Sequence, residues 1–158
     1  MSAFIAAIAP HLARISKALA ADPRPHGGSM FRIHRDVRFS KDKHPYKEHG
    51  ACQFRHRLGP DVHAPGFYVP LAPKEVFVGA GLWMPDSDAL LKIRTALAEK
   101  PAAWKKIVAD IRRKSFVVGR DSSESVARAA SFVAETAECF ASAAPLMRFL
   151  CSALSVPI

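Results

Sequence analysis

Apolar residues recur at spacings of three and four near the start of the chain, where Ile5, Ile8, Leu12, Ile15 and Leu19 fall on one face of a helix drawn over residues 3–21. Pro10 should limit or kink that helix, and Asp22, Pro23, Pro25, Gly27 and Gly28 should end it. From Phe31 the period drops to two. Phe31, Ile33, Val37 and Phe39 alternate with Arg32, His34, Asp36 and Arg38, which predicts a strand over 31–39. Arg35 breaks the pattern, and its guanidinium needs either a fixed partner or a bulge that turns it outward. A second strand is expected over 51–58, with Cys52, Phe54 and His56 on one face and Gln53, Arg55 and Arg57 on a strongly basic one. Phe67, Val69 and Leu71 alternate again, and Ala72 to Glu75 make a hairpin turn into Val76, Val78, Ala80 and Leu82.

From Asp86 the period lengthens. Leu90, Ile93 and Leu97 define one amphipathic helix; Trp104, Ile107, Val108 and Ile111 define another after Pro101. Asp121 and Glu124 have capping-box spacing ahead of the apolar set Val126, Ala130, Val133, Ala137 and Phe140, and a last helix is expected to begin at Pro145. Strands gathered in the first half and helices in the second, over 86–156, imply an α+β fold: an antiparallel meander with helices packed on one face.

Composition narrows the setting. A chain of 158 residues with 49% hydrophobic content suits a single domain spanning 1–158, with a core that needs no disulfide or metal staple. Three cysteines, Cys52, Cys139 and Cys151, cannot all pair and have no regular spacing, which points to a reducing compartment and a cytoplasmic location. The most apolar stretch, 142–158, is interrupted by Pro145 and Arg148, short of the roughly 18 apolar residues of a membrane span, so no membrane role is expected. Residues 1–21 superficially suit a transit peptide, but they lack a charged n-region, and a docked amphipathic helix explains the same pattern.

The formal net charge of +9 favours anionic partners. Residues 31–58 hold eight bases and three acids, a surplus of five, together with four of the seven histidines, His34, His44, His49 and His56. The loop after the first strand, Ser40, Lys41, Asp42, Lys43, His44, Pro45, Tyr46 and Lys47, is too long for a two-residue hairpin. An anion site is one reading: guanidinium forks at Arg35 or Arg38, point charges at Lys41, Lys43 and Lys47, and a stacking ring at Tyr46. Its partner would be an anionic small molecule or nucleic acid. A solvated basic strand, with Asp36 and Asp42 pairing internally to hold the loop, is another. In a third, Asp36, Asp42 and Glu48 beside Lys43 bind Mg²⁺ for phosphoester hydrolysis.

Other candidates are weaker. His49, Cys52 and His56 lack tetrahedral spacing, and on a strand His49 and Cys52 point to opposite faces, so no metal is expected. Gly79 and Gly81 lack the third glycine and following helix of a dinucleotide fingerprint, which leaves close backbone packing and implies no cofactor. Trp83 and Trp104 suit core or helix-covering roles. Cys139 and Cys151 lie on apolar helical faces, as inert core thiols do.

Residues 32–47, reading RIHRDVRFSKDKHPYK, resemble the core motif of the domain-of-unknown-function family 2461. Arg35, Asp36, Arg38, Phe39, Ser40, Lys41, Asp42, Lys43, Pro45, Tyr46 and Lys47 fall on the family pattern. The similarity continues through PGFYVPL at 65–71, GAGLW at 79–83, Ile93, Arg94, Trp104 and APLMRFL at 144–150. Relatives usually carry a further aromatic N-terminal segment and a basic, proline- and glycine-containing stretch after the tryptophan helix. The chain therefore reads as a shortened member, in which Ile111 to Phe116 follow directly. The resemblance implies a family and no reaction.

Overall fold

The computed structural model describes residues 1–57, 64–73, 75–99 and 115–156. Its centre is an antiparallel meander of four strands, β1 (Gly50–Arg55), β2 (Gly66–Ala72), β3 (Glu75–Leu82) and β4 (Phe116–Ser122), in the order β1-β2-β3-β4. With helices added before, between and after the strands, the fold is α+β. The hairpin between β2 and β3 closes on the Ala72↔Glu75 pair, as the alternation requires. In β1, β2 and β3 alternate residues enter the core: Cys52 and Phe54, Phe67 and Val69, then Val76, Val78, Ala80 and Leu82.

Helices cover that face. α1 (Ser2–Ile15) contributes Ile5, Ile8 and Leu12, and the long α4 (Phe132–Ala153) contributes Phe132, Cys139, Phe140, Ala143 and Met147 to the same cluster. The ring of Phe140 packs against those of Phe54 and Phe67, with centroids 6.0 and 4.3 Å away. A second cluster joins α2 (Ser87–Glu99), through Ile93 and Leu97, to Leu82, Phe116, Leu146 and Leu150. A short helix, α3 (Glu124–Arg128), precedes α4. Among the described residues no helix is long and apolar enough to cross a membrane.

Several sequence expectations are corrected. Residues 31–39 form no strand. Instead Met30 bridges Cys52 at the outer edge of β1, and the chain beyond folds on itself through an isolated His34↔Tyr46 bridge. Ile33 is 56% exposed and Phe39 95%, so the alternation there has no apolar partner. The first helix stops at Ile15 rather than at residue 21, and Leu19 reaches the core from a bridge to His56. The last helix does not begin at Pro145, because α4 runs straight through it. In both long helices the proline is exposed and so is the residue four before it, Ala6 for Pro10 and Ala141 for Pro145. Water can therefore serve the carbonyl that loses its helical donor.

Asp121 caps nothing. It is paired with Phe77 within β4, and Ser123 is the N-cap, accepting from the Val126 N–H at 3.3 Å. The apolar set from Val126 to Phe140 is divided where Ala129 turns extended. β4 itself had no counterpart in the sequence reading, because Gly119, Arg120 and Asp121 are exposed and leave a weak period. The amphipathic stretch 101–111, with Trp104, lies outside the described residues.

Candidate functional site

The basic loop is held by its own acids. Asp36 Oδ1 accepts from the backbone N–H of Arg38 at 3.2 Å, and both its oxygens take the Arg38 guanidinium at 2.9 and 2.7 Å. Asp42 repeats the device: Oδ1 accepts from the His44 N–H at 3.0 Å and meets the His44 ring, while Oδ2 accepts from Arg35. Asp42 is thus the fixed partner that Arg35 needs. Asp22 does the same with Arg24, through a backbone N–H at 3.0 Å and a guanidinium pair. In each case an acid bonds the backbone N–H two residues on, an Asx-turn, and grips the basic side chain of that same residue. These turns bend the segment out of the strand that its hydrophobic spacing suggests.

The electrostatics follow the bonds. Hydrogen bonds from the His44 N–H, then Arg35 and the His44 ring, hold the Asp42 carboxyl well below the carboxylate range. The Arg38 side chain, then its N–H, lowers Asp36, and Asp36 raises Arg38 in return. Lys43 Nζ donates to the Val37 carbonyl at 3.0 Å, and the Ser40 N–H donates to that same carbonyl at 3.3 Å, closing the turn. Tyr46 is 57% exposed, its ring edge-on to His34. Lys41 is exposed and makes no hydrogen bond or ion pair with any described residue. Lys47 Nζ lies 5.6 Å from the centre of the Phe31 ring. The structure therefore brings Arg35, Asp42 and His44 together, and separately Asp36 and Arg38, and leaves Lys41 and Lys47 outside both groups.

The zinc candidates do not converge, since His49 is exposed while Cys52 and His56 are buried. Among the described residues no three His, Cys, Asp or Glu side chains group as metal ligands do. The three cysteines are buried, and burial pushes the Cys52 thiol up to about 12.

Sequence reasoning missed the uncovered face of the sheet. Two rows run across it, Gln53↔Tyr68↔Gly79↔Gly119 and Arg55↔Gly66↔Gly81↔Val117. Four of these eight positions are glycine, so the middle of the face carries few side chains of its own. A hollow of about 510 Å³ lies there, walled by Phe31, Tyr68, Phe77 and Trp83. Phe31 meets Tyr68 edge-on at 5.9 Å, and the ring of Phe77 rests where side chains at Gly79 and Gly119 would stand. A second groove of about 450 Å³ shares Phe31 and Gln53 with the first and is edged by Asp22, Arg55 and Arg57. The signal was present in GAGLW: Ala80 and Leu82 take the core positions, and Gly79, Gly81 and Trp83 the outward ones. Trp83, expected in the core or under a helix, is 67% exposed at the rim.

An antiparallel α+β domain with a clasped basic loop beside the open face of its sheet is the class defined by these features. The chain belongs to the family described as conserved hypothetical protein (DUF2461), whose model matches residues 1–111. That match takes in the whole charged loop and the GAGLW strand and stops short of the 144–150 stretch. No curated protein and no solved structure matches the chain.

Proposed function

We propose that the protein binds a small anionic ligand at the basic loop, with Lys41, Lys47 and Arg32 supplying the charge. In this reading Arg35, Asp36, Arg38, Ser40, Asp42 and Lys43 shape the loop, and Tyr46 borders it. The observation that supports the reading is Lys47 Nζ 5.6 Å from the centre of the Phe31 ring, a side chain that also lines the open-face hollow, itself of ligand size. The acids of the loop are committed to its arginines and histidine, so they do not neutralise these lysines.

The test is calorimetric titration with inorganic pyrophosphate at low and high salt. Wild type should bind, weaken as salt rises, and lose affinity in Lys41→Ala/Lys47→Ala. Equal binding by that double variant, or no binding by wild type, contradicts the proposal. A short oligonucleotide that binds far more tightly, with a steep salt dependence, would assign the cations to nucleic acid.

The closed pairs favour a second reading, in which the loop is a structural clasp and binds nothing; pyrophosphate would then leave the melting temperature unchanged. The phosphoester hydrolase reading has no comparable observation behind it. Asp36 and Asp42 are each saturated from within the loop, and a metal would have to displace those donors.

A further inference from the structure

We infer that the hollow on the open face of the sheet seats a planar aromatic ring, so that the ligand class is an aromatic anion; this rests on the anion-binding reading of the loop and names the rest of its ligand. Strand alternation sends Gly66, Gly79, Gly81 and Gly119 outward while their neighbours Phe67, Ala80 and Leu82 enter the core. Packing accounts for the glycines themselves. A Cβ at Gly81, where φ is +141°, would stand 1.9 Å from the Phe116 carbonyl oxygen, and one at Gly66 would stand 2.9 Å from that of Phe54. The Phe77 ring lies over Gly79 and Gly119, and beside it the peptide groups of Gly66 and Gly81 form a floor that carries no side chain of its own.

Four aromatic side chains, Phe31, Tyr68, Phe77 and Trp83, line the hollow beside Gln53, Ala64 and Val117. Trp83 is the telling one, because a side chain of that size left 67% exposed on a rim forgoes burial that the nearby core offers its neighbour Leu82. A ring lying on the glycine floor would stack or meet edges with these walls, as bases do on aromatic platforms. The volume of about 510 Å³ suits one or two fused rings with substituents.

Charge orients the ligand. At the β1 edge stand Lys47, over the Phe31 wall, and the groove edged by Arg55 and Arg57 that continues past Phe31 and Gln53. Asp22 on that groove is already paired with Arg24. At the opposite edge of the sheet β4 carries Asp121, level with Phe77. The anionic group therefore points toward β1 and the basic loop, and the ring toward β3.

The experiment compares three probes by calorimetry: naphthalene-1-sulfonate, methanesulfonate and neutral 1-naphthalenemethanol. Wild type should bind naphthalene-1-sulfonate at least about tenfold more tightly than methanesulfonate. Trp83→Ala should remove that advantage and leave methanesulfonate unchanged, whereas Lys41→Ala/Lys47→Ala should weaken both sulfonates and spare the neutral ring. Trp83→Leu repeats the test should the alanine variant melt early. If naphthalene-1-sulfonate binds wild type no better than methanesulfonate, or binds the Trp83 and Tyr68→Ala variants as well as wild type, the ring site is overturned and the anion reading stands. If neither sulfonate binds, both fall.

Discussion

The two faces of the sheet differ in what their residues touch. On the covered face Phe54, Phe67, Val69 and Val78 share one cluster with Phe140, Ile5 and Ile8, and side chains from three strands and two helices fill the space between sheet and helices. On the open face the equivalent rows are half glycine, and a large ring stands exposed at the edge. A face that only had to be soluble would carry Lys, Glu and Thr at those positions, as solvated sheets do. Glycine there gives up strand propensity, but close backbone approach at Gly66 and Gly81 and the Phe77 ring over Gly79 and Gly119 leave no room for a Cβ. The covered face holds the fold together, and the open one leaves the hollow and the exposed Trp83 that the ring-site proposal uses.

That contrast can be broken by mutation, and the largest effect belongs to the covered face. Phe67→Ala should lose about 3 to 5 kcal/mol of unfolding free energy in urea, because the fully buried ring leaves a cavity against Phe140. Trp83→Ala on the open face should lose less than about 1 kcal/mol. Similar losses for the two would mean that Trp83 belongs to the core after all. Next in size is Gly81→Ala, which forces a side chain into the left-handed region and against β4; about 2 to 3 kcal/mol should disappear in the same assay. An unchanged midpoint would show that β3 and β4 do not approach as closely as described.

A smaller effect of opposite sign is expected at Thr136. Its hydroxyl is buried among the described residues without a hydrogen-bond partner, so Thr136→Val should raise stability by about 1 kcal/mol. Destabilisation there would reveal a partner for the hydroxyl.

The smallest effect concerns the loop. The carboxyl pKa values of Asp36 and Asp42 are lowered in the folded chain, so their pairs contribute fully above the ordinary value of 3.8 and are lost as pH falls below it toward the folded values. Carboxyl ¹³C titration should place both midpoints below 3.8, with Asp42 the lower, and global melting should barely respond to their loss because the pairs are exposed. A midpoint at or above 3.8 for Asp42 would mean that the Arg35 and His44 contacts do not persist in solution.

The sheet was legible in the sequence because burial on one side only writes a period of two into 51–56 and 67–82, and the Ala72 to Glu75 turn is short. The same signal misled at 31–39. There the Asx-turns at Asp36 and Asp42 redirect the backbone, and their pattern, an acid followed two residues on by Arg or His, is as local and readable as the alternation. β4 escaped because it is an edge strand exposed over its second half, and the start of the last helix was misplaced because the helix runs through the solvent-facing Pro145. For the site, the charged residues declared themselves by density. The hollow beside them did not, because its floor consists of side chains that are missing, and which face a glycine lies on emerges only from strand register.

The claim that the basic loop and the open face form one site is tested most directly by an amide titration. Naphthalene-1-sulfonate added to ¹⁵N-labelled protein should shift the amides of Gly66, Gly79, Gly81, Gly119 and Lys47 together, along one saturation curve, while Val78 and Phe140 on the covered side stay in place. Saturable shifts confined to the loop, or to neither region, would contradict it.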